Sequence, residues 1–74
     1  MTTSVNQLKE GKSGIVAHFT DERVAGKLMT MGVLPGSLLK MVRIAPFNGG
    51  YYIKVDGSNM ALRSQEAGSI MLEV

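Results

Sequence analysis

The segment Lys27–Gly36, KLMTMGVLPG, contains the sharpest backbone bend that the sequence predicts. Gly32 follows the last apolar residue of a helical pattern, where the chain usually adopts left-handed dihedral angles that glycine takes without strain. Pro35 and Gly36 fit the two central positions of a type II turn, because proline presets the first φ and glycine supplies the positive one. The segment therefore predicts a helix that stops and turns at once into a strand.

The residues before this bend predict one short amphipathic helix from Asp21 to Met31. Thr20-Asp21 supplies a plausible N-cap, and the acidic side chains of the first turn suit the positive end of the helix dipole. Val24, Leu28 and Met31 recur at spacings of four and three, which places them on one face toward a core. Gly26 lies inside this helix and costs about 1 kcal/mol relative to alanine, so we interpret it as a site of close packing.

The remaining segments predict short strands separated by turns. In strand 1, Ile15, Ala17 and Phe19 share one face, and Val16 and His18 share the other. The predicted strands are Gly14–Phe19, Ser37–Ile44, Tyr51–Val55, Met60–Arg63 and Ser69–Val74, with a loop over residues 56–59 and a helical turn over Ser64–Gly68. The fold class is therefore mainly β: a small, partly open SH3-like barrel of about five strands with one short helix inserted after the first. Residues 1–74 are predicted to form a single domain, with 1–7 as a polar or loosely ordered tail.

Composition narrows the possible functions. The 74 residues include no cysteine and one histidine, which excludes disulfides, thiolate metal sites and multi-histidine cages. The chain has neither a nucleophile–base pair nor a phosphate-binding Gly-x-x-x-x-Gly-Lys loop, so we expect a protein that is not an enzyme. The first residues do not resemble a secretory signal, and no apolar stretch approaches the ~20 residues that span a bilayer. We expect a soluble, cytoplasmic protein without direct membrane insertion.

Charge and metal ligands give weaker signals. Eight basic and six acidic residues give a net charge of +2, and the basic residues are scattered, which argues against nucleic-acid binding. The sequence predicts no cofactor and no built metal site. His18 is the candidate ligand for a weak association with a divalent metal. The carboxylates that could join His18 belong to Asp21, Glu22, Asp56 and Glu66, and only the fold could bring them together.

Two motifs resemble the ferrous iron transport protein A (FeoA) family. The first is KLMTMGVLPG, and the second is the closing ALRSQEAGSIMLEV, which contains Ala61-Leu62-Arg63 and Glu66-Ala67. The resemblance covers roughly Leu8 to Val74. Lys27 stands where arginine is more usual in the family, and the turn over residues 47–50 is particular to this chain.

The resemblance implies a small cytosolic accessory protein of bacterial ferrous iron uptake. Its implied partner is the membrane transporter FeoB, through the cytosolic side and its GTPase domain, with an effect on activity or assembly. An alternative class is a metal-responsive or peptide-binding SH3-like module that acts through self-assembly, since the family resembles the C-terminal domains of iron-dependent repressors by fold. Nucleic-acid binding is a third class, which rests only on the isoelectric point of 9.2.

We hypothesise that a partner binds beside the rigid bend. Met29, Val33 and Leu34 flank the helix stop as exposed apolar residues, and Lys27 and Arg63 supply a charged rim. The alternative interface is an open edge of the barrel, where a second copy could add strands and form a homo-oligomer. The sequence leaves both surfaces open.

Overall fold

The computed structural model describes residues 1–74 as one antiparallel sheet with two short helices packed against it. The strands are β1 (Thr2–Ser4), β2 (Ser13–Phe19), β3 (Leu38–Ile44), β4 (Tyr51–Val55), β5 (Ser58–Leu62) and β6 (Ile70–Glu73), and the helices are α1 (Glu22–Thr30) and α2 (Ser64–Gly68). A single 3-10 turn follows β1 at Val5–Gln7. The strand order is β1-β6-β2-β3-β4-β5, so the sheet curls without closing. The predicted mainly β, partly open architecture is confirmed.

The N-terminal segment differs from its prediction. Residues 1–7 were expected to be a loosely ordered tail, but Thr2–Ser4 pair with β6, and Val5 is completely buried. β1 therefore raises the strand count from about five to six and places α1 after the second strand. The period-2 signal is weak in a three-residue strand of small polar side chains, which is why sequence reasoning missed it.

The core is formed by alternate residues of the strands and by the inner faces of both helices. Its buried apolar members are Val5, Leu8, Val16, Leu28, Val33, Leu39, Met41, Ile53, Val55, Leu62, Ala67, Ile70 and Leu72. In β2 the register with β6 shifts between Val16 and His18. Because of this bulge Val16 is buried while His18 is exposed, so the prediction that they share a face is wrong.

The hairpin between β4 and β5 is tighter than expected. Its loop is only Asp56-Gly57, and both residues have positive φ, of 48° and 89°. These dihedral angles are typical of a two-residue type I′ turn, which matches the twist of the strands it joins. Ser58 and Asn59 therefore belong to β5 and do not lengthen the loop.

Neither helix combines the length and the apolar character needed to span a bilayer.

Candidate functional site

The bend after α1 forms the backbone of the candidate site. The backbone N–H of Val33 donates to the Leu28 carbonyl over 2.9 Å, and that of Gly32 donates to the Met29 carbonyl over 3.0 Å. Gly32 has φ of 100°. This pattern is a Schellman motif, in which the residue after the left-handed glycine packs against the third residue from the helix end. The motif therefore directs Val33 into the core beside Leu28.

The predicted type II turn follows this motif. Ser37 N–H donates to the Leu34 carbonyl over 2.9 Å, and Gly36 has φ of 94°. Gly36 N–H also donates to the Val16 carbonyl over 2.7 Å, which fastens the turn to β2. The turn thus fixes Leu34 at a defined place on the surface, 47% exposed.

The five residues predicted to contact a partner do not all lie on the surface. Met29 is 43% exposed on α1, whereas Val33 is completely buried, so its assignment to the surface is wrong. The reason is the Schellman motif, whose sequence signal was present in the glycine followed by an apolar residue. Lys27 and Arg63, far apart in sequence, line the same groove.

This groove lies between α1, the β3–β4 loop and the start of α2. Its volume is about 530 Å³, and its lining residues are Lys27, Met31, Asn48, Gly49, Gly50, Ala61, Leu62, Arg63, Ser64 and Glu66. Met31 was expected to face the core, but it is 37% exposed and contributes an apolar wall. The groove therefore combines apolar walls with charged groups.

An ion pair anchors the groove. Lys27 Nζ donates to Glu66 Oε2 over 2.6 Å, and the other carboxylate oxygen, Oε1, accepts from Arg63 N–H over 2.9 Å. The Glu66 side chain is only 8% exposed, while that of Lys27 is 62% exposed. The hydrogen bond from Lys27, followed by that from the Arg63 backbone, holds the pKa of Glu66 below its usual range.

Sequence reasoning did not assign Glu66 to this site. It lies three residues after Arg63, at the position from which a glutamate reaches back to the N–H that precedes a helix, and this spacing is the signal that could have identified it. Its contact with Lys27 spans 39 residues, which no local pattern reveals.

The Arg63 guanidinium is in no ion pair, since the three ion pairs of the chain use Arg23, Lys27 and the N-terminus. Arg63 therefore leaves a positive charge at the groove that an acidic group of a partner could meet.

The candidate metal ligands are not brought together. No three His, Cys, Asp or Glu side chains cluster in a way that could hold a metal ion. His18 is exposed on β2 opposite Met71. Asp21 forms an ion pair with Arg23, and Glu66 forms one with Lys27.

Comparison with known proteins agrees with this architecture. The chain is 27% identical to a crystallised iron uptake regulatory protein (FeoA), with a TM-score of 0.86 over 99% of this chain and 96% of that one. It is 24% identical to Stenotrophomonas maltophilia FeoA complexed with zinc, described as a prokaryotic SH3 domain protein, with a TM-score of 0.82 over 96% and 89% of the two chains. The second likeness shows the fold alone.

A manganese-dependent transcriptional repressor shares the fold at 20% identity and a TM-score of 0.89. The match covers 97% of this chain but only 41% of the repressor. No curated protein sequence matches the chain significantly. The sequence pattern of the FeoA domain, a family associated with ferrous iron transport, matches residues 3–74. The chain therefore belongs to the FeoA domain family.

Proposed function

We propose that this chain is a non-enzymatic accessory protein of ferrous iron uptake that binds the cytosolic side of the FeoB transporter and modulates its activity or assembly. Family membership supports the transport system. The observation that carries the binding role is the surface around the end of α1. There Met29 and Leu34 expose 43% and 47% of their area on a backbone held rigid by the Schellman motif and the type II turn.

The groove supports the same role. Met31, at the C-terminal end of α1, is an apolar residue of the groove lining, and Lys27 and Arg63 are its basic residues. Apolar contacts on a rigid backbone with a charged rim are the usual composition of a protein-binding surface. Because Lys27 is engaged with Glu66, Arg63 is the rim residue with a charge available to a partner.

The experiment is an amide NMR titration of the labelled chain with the purified cytosolic GTPase domain of the transporter. We expect shifts confined to the end of α1, the turn after it and the groove. Leu34→Glu should weaken binding at least tenfold. Because Leu34 is half exposed, the variant should stay folded and keep a well-dispersed amide spectrum.

Leu38→Glu is the matched control, since Leu38 is equally apolar and 51% exposed but lies on β3. Equal loss of affinity in both variants would place the interface elsewhere. Absence of any shift at high partner concentration would overturn binding to this domain.

A further inference from the structure

The outer face of β3 and β4 concentrates positive charge. Lys40 lies opposite Lys54, and Arg43 lies opposite Tyr52. Directly opposed residues of an antiparallel pair point to the same side of the sheet, and these four are exposed. We call Lys40, Arg43, Tyr52 and Lys54 the basic face. The pair that faces the core, Met41 and Ile53, is buried on the opposite side.

A bulge in β3 adds Arg43 to this face. With strict alternation from Lys40, residue 43 would point toward the core. The register between β3 and β4 shifts between Met41 and Arg43, so Val42 is an extra residue that reverses the alternation. The sequence alone shows scattered cations; the strand register brings Lys40 and Lys54 together, and the bulge adds Arg43.

The cations of the basic face have no acidic partner in the chain. The three ion pairs use the N-terminus, Arg23 and Lys27. The carboxylates at the two ends of the face, Glu10 and Asp56, instead accept the backbone N–H groups of Ile44 and Leu38. Like charges directly opposite each other destabilise a sheet, so folding does not explain the Lys40–Lys54 pair.

An exposed aromatic side chain lies at the end of the same two strands. Phe47 is 99% exposed on the β3–β4 loop and has φ of 57°, a conformation that bulky residues rarely adopt. The loop is ordered by hydrogen bonds from Ala45 N–H to the Gly50 carbonyl, 3.0 Å, and from Gly49 N–H to the Pro46 carbonyl, 3.1 Å. The loop therefore projects an apolar ring away from the core.

We propose that the basic face and Phe47 adsorb to a bilayer surface that contains anionic phospholipids. Uncompensated Lys and Arg complement the negative headgroups, and aromatic rings favour the membrane–water interface. Proteins that bind single-stranded nucleic acids on a sheet usually stack several bases on aromatic rings, whereas Tyr52 is the only aromatic residue of the basic face. Adsorption would be peripheral and reversible, and it would hold the chain at the membrane independently of any protein partner.

The test is co-sedimentation of the full chain with vesicles of phosphatidylcholine alone or of phosphatidylcholine and phosphatidylglycerol in equal parts. We expect binding only to the anionic vesicles, weakening as salt is raised, because surface charge interactions are screened. Equal binding to both vesicles, or none at low salt, would overturn the proposal.

Two variants with the same net charge distinguish an effect of the basic face from an effect of net charge alone. Lys40→Gln with Lys54→Gln, and Arg23→Glu alone, each change the net charge from +2 to zero, and Arg23 is an exposed residue of α1 outside the basic face. Each cation near an anionic surface adds about fivefold to binding, so the double variant should lose about 25-fold and Arg23→Glu clearly less. Equal losses would overturn the proposal.

Phe47→Ala should weaken vesicle binding about fivefold without changing its salt dependence, because the lost contribution is the burial of an apolar ring. Saturable binding of poly-glutamate through Lys40 and Lys54, without binding to vesicles, would also overturn the proposal and assign the face to an acidic protein. No transporter is present in these assays, so their outcome does not depend on the proposed function.

Discussion

At the scale of single residues, Glu66 connects folding with the candidate site. Its nearly buried carboxylate accepts hydrogen bonds from Lys27 Nζ and from the Arg63 backbone. Glu66→Gln removes the negative charge, which weakens the hydrogen bond from the Lys27 ammonium. It also places an amide N–H₂ group near Lys27. Hydrogen bonds that involve charged groups contribute about 1.5–3 kcal/mol, and the exposure of Lys27 reduces this through solvent screening.

We therefore expect Glu66→Gln to lower the free energy of unfolding at pH 7 by about 1–2 kcal/mol, measured by urea denaturation. The pKa of Glu66 is lowered in the folded state, so its stabilisation is fully present above the unfolded pKa and is lost as pH falls through the folded pKa. The difference in free energy of unfolding between the wild type and Glu66→Gln should shrink as pH falls below about 4.5, the ordinary pKa of a glutamate side chain.

Glu22→Gln is the control, since Glu22 is exposed and in no ion pair. Its effect should stay within about 0.5 kcal/mol, as is usual for surface substitutions. A pH-independent difference between wild type and Glu66→Gln would contradict the assigned charge interaction.

A second residue with a defined steric role is Gly14 in β2, which lies against the C-terminal end of the neighbouring strand β6. A Cβ at this position would lie 2.8 Å from Val74 Cγ1, 3.1 Å from the Glu73 carbonyl oxygen and 3.2 Å from Leu72 Cβ. We expect Gly14→Ala to lower stability by about 1–3 kcal/mol, because the clash displaces backbone as well as side chains. A thermal unfolding midpoint unchanged by this substitution would show that the strands can separate without cost.

At the scale of elements, one glycine lies inside α1 and another directly follows its C-cap, and their roles differ only in backbone conformation. Gly26 was interpreted as a close-packing site, but a Cβ there would meet nothing within 4 Å. That interpretation is wrong, because Gly26 lies on the exposed side of the helix. A Cβ at Gly32 would also meet nothing within 4 Å, but Gly32 has φ of 100°.

This pair gives a matched prediction. Gly26→Ala should raise the free energy of unfolding by about 0.5–1 kcal/mol, since alanine has the higher helix propensity. Gly32→Ala should lower it by about 1–2 kcal/mol, because an L-residue is strained in the left-handed region. Chemical denaturation of both variants measures the difference, and the same sign for both would refute the Schellman assignment.

At the scale of the whole molecule, β1 covers one side of β6. Thr2–Ser4 pair with residues 71–73, and Val5 inserts into the core behind them. Without β1, the N–H and C=O groups of β6 would form an open edge, which promotes pairing between chains. The other exposed edge of the sheet is β5. β1 is itself the edge strand on this side, and because three polar residues offer few pairing groups, we expect it to limit self-association there.

We expect Val5→Ala to lower the free energy of unfolding by about 2 kcal/mol, because it removes buried methyl groups. Gln7→Ala, at an exposed neighbour, should have little effect. Deletion of residues 1–4 should add concentration-dependent dimers, measured by light scattering after size exclusion. A deletion variant that stays monomeric and fully stable would restore the interpretation of these residues as a loose tail.

The sequence by itself determined the elements whose signals are local. The helix stop at Gly32, the Pro35-Gly36 turn, the α1 boundaries within one residue and the mainly β class all follow from dihedral preferences and hydrophobic period. These signals depend on only a few neighbouring residues, so they can be interpreted without knowledge of the tertiary structure. The resemblance to the FeoA family rests on this bend and on the closing segment ALRSQEAGSIMLEV, and it is confirmed.

Only the tertiary structure decided which residues meet. Packing between distant segments left Met31 exposed and joined Lys27 to Glu66 across 39 positions. One extra residue in β3 reverses the faces of its strand and moves Arg43 onto the basic face. A bulge shifts alternation by one residue without a distinctive sequence, and contacts between distant segments depend on the whole core. For that physical reason the surfaces of this protein could not be read from local patterns.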